Sequence, residues 1–319
     1  MNALLHDERT VIALCRQPRH VADLRHRLLN VVAGDLEDPP SYASYLAGAA
    51  TVFHLAGIRG APGTSARAMR WLNVEATLAL GRATVATGVR RFVYVSSALI
   101  FGPSGAQPVS EAAGYCPASA ATSYITSRVQ GLEALRTLIG DGLPLVTVCP
   151  TIIFGPDHPT HPNRVTRQVR RLLQSGADVV IGGGHQRRTL VCVDDVVRGL
   201  VVAEGLGRIG EAYILGGDDL SHRELNRLVL ALRGRSPRVS LSIPRWIALT
   251  AARAADAVRR HERGSGFEAA VRVLTREWRS SSGKAERDLG YTHAPARDGL
   301  RRTLRALIDQ PGEDEPHEE

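Results

Sequence analysis

Phe92-Val93-Tyr94-Val95-Ser96-Ser97-Ala98-Leu99-Ile100-Phe101-Gly102 is the stretch that decides the fold. Its first four residues are apolar without alternation, and then two serines stop the run. An unbroken apolar run of that length suits a strand covered on both faces, as in a parallel sheet. Similar runs lie to either side: Val11–Leu14, Val31–Ala33 and Thr51–Leu55 before it, Leu145–Cys149 after it. Between them fall stretches of helical period at Pro40–Leu46, Ala66–Thr87 and Tyr124–Ile139. This alternation predicts an α/β fold with a doubly wound parallel sheet. Ligands in such sheets lie beyond the carboxyl ends of the strands, so the residues just after each run matter most.

Past Gly155 the pattern changes. Pro156, Pro159 and Pro162 end the alternation, a basic helix follows at Arg164–Ser175, and then come Val179–Ile181, the turn Gly182-Gly183-Gly184 and Leu190–Val193. One more strand is expected at Ala212–Leu215, and the remainder reads as largely helical up to Leu307. The expected organisation is a first domain over 1–155, to which 189–217 returns. A smaller, mainly helical C-terminal substrate domain takes 156–188 and 218–308, and residues 309–319 read as an acidic disordered tail. There is no internal repeat.

Composition narrows the classes. At 44% apolar and 23% charged, the chain resembles neither a disordered protein nor a coiled coil. No apolar run reaches the roughly 18 residues that a membrane span needs. Asp7 and Glu8 with no apolar run in MNALLHDERT argue against a signal peptide. Cys15, Cys116, Cys149 and Cys192 stand far apart without metal-ligand spacing, which suits the reducing cytoplasm and predicts no metal. The net charge of +8 rests almost wholly on arginine, since Lys284 is the only lysine. That imbalance points to the codon usage of a GC-rich genome rather than to a nucleic-acid surface. Aromatic residues make up 5%, too few for the stacking that nucleic-acid binding uses, so no nucleic-acid partner is expected. A basic body favours anionic ligands such as a phosphorylated cofactor.

The chemistry is concentrated after the Phe92–Val95 run. Ser97 ends that strand, and Tyr124 opens the helix SYITSRVQGLEAL. Tyr124 and Arg128 are spaced i, i+4 and share one helix face. A phenol beside a fixed cation, with a strand-end hydroxyl nearby, forms a proton-transfer device: the cation lowers the cost of forming phenolate, and Ser97 can hold a substrate oxygen. A tyrosine packed on the sheet beside an exposed arginine is the plainer alternative for the pair alone. Asp194-Asp195 could suggest a metal, but a single acidic pair before a helical stretch reads instead as an N-cap and a salt bridge. Ile243–Arg263 sets apolar residues at helical spacing among basic ones. It reads as the packed wall of the substrate domain, with contact to a membrane surface or a lipid-like substrate as the alternative.

In these segments the sequence resembles the extended short-chain dehydrogenases/reductases, the NAD-dependent epimerase/dehydratase family, from Ala3 to about Leu307. VFHLAG (Val52–Gly57) resembles the strand end beside the cofactor ribose, and Asn73 in LNVEATLAL stands where the family has asparagine. FVYVSSALIFG resembles the serine segment and SYITSR the Tyr-x-x-x-Lys box. CPTIIFGP (Cys149–Pro156) resembles the segment against the nicotinamide. RTLVCVDD (Arg188–Asp195) and GKAERDLGY (Gly283–Tyr291) are similar to the later family segments. The resemblance implies a Rossmann-like fold and an NAD(P)-dependent oxidoreductase or epimerase, with hydride moving to or from a carbonyl or carbinol carbon. Nucleotide-sugar epimerases and ketone reductases of the 3β-hydroxysteroid or dihydroflavonol type are the two models for it. Its catalytic residues would be Ser97, Tyr124 and Arg128. Its cofactor contacts would be Arg16, Asp35, Leu36, Leu55, Ala56, Gly57, Asn73, Ser96, Tyr124, Arg128, Pro150 and Ile153, with Arg188 on the substrate and a homodimer as the assembly. Ala98-Leu99 stands where the family's dehydratases carry an Asp-Glu pair, which argues against dehydration.

Two departures stand out. Ala3-Leu4-Leu5 already resembles the end of the first helix, so the first strand and its Gly-x-x-Gly-x-x-Gly turn are absent and a gap is expected between neighbouring strands. A start codon placed too late is the expected explanation; a stop codon immediately upstream of Met1 would defeat it. Arg128 replaces lysine, keeping the charge but not a proton relay, so Arg128→Lys is expected to raise turnover. Gly57-Ile58-Arg59-Gly60-Ala61-Pro62-Gly63 spells the glycine pattern after the wrong strand and reads as a loop rather than a phosphate cradle. Arg16, with Arg19 behind it, occupies the position that accommodates a 2′-phosphate and favours NADP over NAD as cofactor. A non-catalytic homologue that keeps the fold for binding or scaffolding is the rival reading.

Overall fold

The computed structural model describes residues 1–18, 25–59, 64–156, 163–259 and 266–309. Arg19, the Gly60–Gly63 half of the glycine pattern, Pro159, Pro162, residues 260–263 and the acidic tail beyond Asp309 lie outside the described residues.

The Phe92 run is the middle of the main sheet. Strand β4 (Arg91–Val95) lies parallel to β3 (Thr51–His54) on one side and to β5 (Leu145–Pro150) on the other, with β9 (Ala212–Leu215) beyond β5. Its side chains alternate between two cores, which is why the run is apolar throughout. Phe92 and Tyr94 pack with Leu80 of α4 (Thr77–Thr87) and Leu132 and Leu135 of α5 (Ser123–Thr137). Val93 packs with Val196, Leu200 and Ala203 of α7 (Val193–Leu206). All three β4 residues are fully buried.

Strands β1 (Val11–Cys15) and β2 (Leu29–Ala33) form a separate parallel pair, and α2 (Pro40–Leu46) follows them. Among the described residues no backbone ladder joins β1 to β3, so the expected gap is present. The pair is held instead by side chains, with Leu14 and Leu36 against the main core. The short helix α1 (Asn2–His6) packs on α7, where Arg9 grips Glu204 through two bonds of 2.6 Å.

The Ala66–Thr87 stretch is not one regular helix. It begins as α3 (Ala66–Arg70), widens into a π-helical segment at Trp71–Ala76 and continues as α4. The widening lies where α5 comes closest: a Cβ on Gly131 would sit 2.2 Å from the Asn73 carbonyl oxygen. Periodicity cannot register a single inserted residue, whereas such π-turns often mark functional sites.

Beyond β5 the chain builds a second sheet in which β8 (Arg187–Cys192) runs parallel to β6 (Ile152–Phe154) and antiparallel to β10 (Asp218–Ser221). β7 (Ala177–Ile181) pairs in parallel with β11 (Val239–Ile243). The remainder after β9 is largely helical, as expected, and β10 and β11 are two short strands that the sequence pattern does not mark. Asp-Asp-Leu-Ser has little strand propensity, and β8 imposes the conformation through its ladder and the Thr189–Asp219 hydrogen bond. Helices α6 (Arg164–Ser175), α8 (His222–Ala231) and α12 (Ala296–Asp309) enclose a third core around Phe154, Val169, Val229 and Leu300. Helices α9 (Arg245–Val258), α10 (Phe267–Leu274) and α11 (Gly283–Leu289) complete the order. Among the described residues no helix is long and apolar enough to cross a membrane. The four cysteines are free.

Candidate active site

β4 places Ser97 at its carboxyl end, where the residue caps the 3₁₀ turn Ala98–Phe101. Its hydroxyl oxygen accepts the Leu99 N–H at 3.3 Å, which leaves its own hydrogen free to donate into the adjoining cavity. Across from it Thr122 caps α5 by accepting from Ile125 N, so Tyr124 sits in the first turn of that helix. Ser97 and Tyr124 line the same cavity of about 250 Å³.

Arg128 lies one turn behind Tyr124 and is almost fully buried. Its guanidinium carbon is 5.5 Å from the Tyr124 ring centroid. Nη1 donates to the Val95 carbonyl at 3.4 Å and to the Tyr94 hydroxyl at 3.5 Å, while Nε is buried without a partner. Gly57 makes room for this group, since a Cβ there would fall 2.3 Å from Nη2. Burial works against the charge, but the Tyr124 and Tyr94 phenols outweigh it and hold the Arg128 pKa above its usual value. Beneath Tyr94, with which it stacks, His54 is fully enclosed and bonds Thr77 Oγ1 at 2.9 Å. Thr77 spends its hydrogen on the Leu72 carbonyl, so His54 Nε2 is the donor of that pair. Burial first, and Arg128 second, push the His54 pKa down to about 3.

Asn73, in the π-helical segment, ties these pieces together. Its Oδ1 accepts from Ile58 N at 2.8 Å, and Nδ2 donates to Ile58 O and to Ser127 Oγ, both at 3.0 Å. Ser127 Oγ in turn donates to the Tyr124 carbonyl at 2.8 Å. The asparagine therefore clamps the segment after β3 to the first turn of α5, and both its amide hydrogens are used in doing so.

Arg188 opens into the same cavity, and burial, with Arg164 nearby, lowers its pKa to about 10. Arg164 keeps solvent-exposed surface, yet the protein crowded about its guanidinium, together with Arg167 and Arg59, pushes its pKa down too. Among the described residues the cavity lining contains Arg59, Arg164, Arg188 and His222 but no acid. His222 is held neutral, its pKa lowered to about 4 by burial and by Arg188. Most of the remaining wall is apolar, with Leu99, Ile152, Leu225, Val273 and Trp278 prominent.

Other expected contacts lie away from this cavity. Pro150 is buried at the end of β5 and Ile153 packs in the second core, while the intervening Thr151 and Ile152 face the cavity. Leu55 and Ala56 are exposed at the end of β3, and Ser96 Oγ is buried without a partner. Arg16 is exposed just past β1. Asp35, past β2, accepts from Glu37 N at 3.0 Å as turn aspartates do. Asp195 is buried, pairs with Arg198 and accepts from Ala294 N, and Asp194 pairs with Arg302 at 2.9 Å. These are structural ties, and no metal-holding cluster exists among the described residues. Arg164, Gln168 and His222 went unread in the sequence. For His222 the available signal was Ser221-His222-Arg223-Glu224, whose Ser221 and Glu224 form a capping box that starts α8 at the cavity wall.

The parallel sheet flanked by helices defines a Rossmann-like protein of the α/β class. A family model for the NAD dependent epimerase/dehydratase family matches residues 1–216, and the chain belongs to that family. It is 26% identical over 310 residues to the 4-hydroxy-2-methyl-3-oxo-4-farnesyl-3,4-dihydroquinoline-1-oxide ketoreductase of Stigmatella aurantiaca, covering 94% of this chain and 91% of the relative. It is 29% identical over 181 residues to the UDP-glucose 4-epimerase of Mycolicibacterium smegmatis, covering 54% of this chain and 56% of the relative. The match to an uncharacterized protein, y4nL, of Sinorhizobium fredii spans about half of that relative's length. The crystal structure of gox2253 superposes with a TM-score of 0.78 at 26% identity, over 96% of this chain and 93% of that one. A ketoreductase and a UDP-glucose 4-epimerase thus stand among the relatives of this chain.

Two polar side-chain atoms near the end of β4 are left unsatisfied by the protein itself. Arg128 Nε on α5 and Ser96 Oγ past β4 are buried polar atoms without a hydrogen-bond partner. Arg16 is exposed past β1 and makes no ion pair among the described residues. Between them, no glycine-rich turn leading into a helix N-terminus is present among the described residues.

Proposed function

We propose that the protein is an NAD(P)-dependent ketone reductase or alcohol dehydrogenase acting on a largely apolar substrate that carries an anionic or strongly polar group. The observation that supports this most is the wall of the cavity: apolar over most of its area, with Arg164, Arg188, Ser97 and Tyr124 among the polar residues that line it. A cavity of this kind takes an apolar body and orients it by a few polar contacts. The substrate crevice would lie between the 1–155 domain and the substrate domain of 156–188 and 218–308.

Ser97 donates its free hydrogen to the substrate oxygen and fixes its position. Tyr124 gives the proton to that oxygen in reduction and takes it in oxidation. Arg128, locked by Val95, Tyr94 and Gly57, offsets the charge left on the phenol oxygen as the proton departs. It keeps its own proton throughout, so Tyr124 must exchange its proton with solvent through the cavity rather than through the neighbouring side chain. When bound against Tyr124 and Arg128, the nicotinamide supplies the site that donates or accepts hydride. Arg16 would meet a 2′-phosphate, which favours NADP. Trp71, half-exposed on the π-helical segment beside α5, supports a homodimer through that helical layer.

Nucleotide-sugar epimerisation is the second reading, favoured by the Arg164–Arg188 couple, which has no ion-pair partner among the described residues and would suit a diphosphate. The deciding experiment sets apolar ketones, with and without a carboxylate, against UDP- and dTDP-sugars, with NADPH or NADH, and follows the reduced-nicotinamide absorbance and the sugar products. Turnover of the ketones supports the reductase, and interconverted sugars would replace it with the epimerase. If fluorescence titration shows that neither cofactor binds, the non-catalytic reading takes over.

A further inference from the structure

From Arg233 to Ile247 every residue is exposed, although the segment includes the complete strand β11 and the start of α9. The strand is turned the wrong way round for an edge in water. Its serines point inward: Ser240 Oγ bonds Asp178 Oδ2 at 3.2 Å and accepts from Arg223 Nη1 at 3.0 Å, and Ser242 Oγ accepts from Gly183 N at 3.1 Å. Its apolar residues, Val239, Leu241 and Ile243, point outward, and Leu241 is paired across the ladder with Val179, which is also exposed. The serines stay exposed like the rest of the strand, but it is they that turn towards the fold, whereas a strand packed on one face normally turns its apolar residues inward. The apolar face continues without a break into α9, where Trp246 is 70% exposed and Ile247 follows it. This corrects the reading of Ile243–Arg263 as a packed wall, because within α9 only Ala252 is fully buried.

The rim of this face is cationic. Arg233, Arg235, Arg238 and Arg245 are exposed and make no ion pair among the described residues. Between Arg233 and Arg259 the only acid is Asp256, and its two oxygens accept the Phe267 and Glu268 N–H groups that start α10. A second copy of the chain in a two-fold contact would bring these arginines against one another. An anionic lipid surface has the complementary character: a plane of negative headgroups over an apolar layer, with an indole suited to the boundary between them.

We propose that β11 and the first turn of α9 form a docking face for anionic phospholipid membranes. The face is also placed to be useful. α9 packs against α10, and α10 lines the substrate cavity through Ala269, Ala270 and Val273, so docking brings the cavity wall next to the bilayer. The docking face itself stands whether or not the substrate reading above is right.

The test is flotation of the full-length protein with phosphatidylcholine vesicles, with and without phosphatidylglycerol, at low and high salt. Binding is expected only with phosphatidylglycerol and is expected to weaken as salt rises. Arg235→Glu with Arg245→Glu is expected to weaken it about tenfold. Leu241→Glu with Trp246→Glu is expected to abolish it while leaving circular dichroism and cofactor binding unchanged. Equal binding to pure phosphatidylcholine, no binding to either vesicle, or variants that bind as the parent does would overturn the proposal. So would light scattering that shows a dimer broken by the Leu241/Trp246 variant, which would assign the face to a second copy.

Discussion

The surroundings of Tyr124 and those of Arg16 are built differently. At the Tyr124 end, Asn73, Ser127, Arg128 and Gly57 are locked by buried bonds and close backbone contact, and nothing there can relax without moving α5. At the Arg16 end, a two-stranded ribbon stands apart from the main ladder, its arginine exposed and its aspartate occupied by its own turn. Preorganised groups act on the reaction step, whereas exposed charges act on affinity and are screened by solvent. Substitutions at the first end should therefore change turnover steeply, and substitutions at the second should change cofactor choice gently.

The largest effect belongs to Tyr124→Phe, which removes the transferable proton; kcat is expected to fall about 100-fold to 10,000-fold while cofactor binding by fluorescence stays near the parent's. Gly57→Ala pushes a methyl group into the Arg128 guanidinium, and steady-state kinetics are expected to show a loss of roughly tenfold or more in kcat. Asn73→Ala leaves Ile58 N without its buried acceptor and frees Ser127, for an expected loss of about 1–3 kcal/mol in urea unfolding. If the parent is no more stable than Asn73→Ala, the clamp is not holding the two segments together. At the exposed end, Arg16→Glu is expected to weaken NADPH binding only several-fold and to leave NADH nearly unchanged. An equal loss for both cofactors would remove Arg16 from the 2′-phosphate.

The locked end also sets a pH limit, shared with the cavity wall. His54 and His222 have pKa values of about 3 and about 4 in the folded protein, below the ordinary 6.5. Protons therefore bind the unfolded chain first, so their contribution to stability is complete above about pH 6.5 and drains away as pH falls towards 4 and then 3. Urea midpoints across that range should decline with acidification. His54→Phe should flatten the decline, and a wild-type curve already flat between pH 6.5 and 4 would show that the histidines are not buried neutral.

The same contrast explains what could be read in advance. β4, its serines and the helix of Tyr124 were legible because double-sided burial writes an unbroken apolar run and because a strand-end hydroxyl and an i, i+4 pair are local patterns. The missing ladder between β1 and β3 was legible through what the glycine turn normally occupies. The π-helical turn at Asn73 was not, since the close approach it accompanies is to Gly131 on another helix. Neither was β10, whose Asp-Asp-Leu-Ser becomes a strand only because β8 lies beside it. Arg188 was singled out from its segment, but the apolar walls around it come from α8, α10 and β6, which no single stretch of sequence brings together. β11 was lost for a related reason: its alternation is regular, but its polar side is the one turned inward.

Arg128 sharpens the comparison further, because it sits at the locked end yet is the position that departs from the family's lysine. Arg128→Lys frees the space against Gly57 and restores an ammonium that can pass on a proton, so a few-fold rise in turnover is expected; a fall would mean that the pocket of Gly57, Tyr94 and Val95 has adapted to the guanidinium. The central claim, that Tyr124 moves the proton at the floor of an apolar cavity, is tested most directly by single-turnover hydride transfer on a ketone accepted by the wild-type enzyme. With cofactor bound to equal occupancy, wild type should react at least about 100-fold faster than Tyr124→Phe. Equal rates in the two would place the proton donor elsewhere.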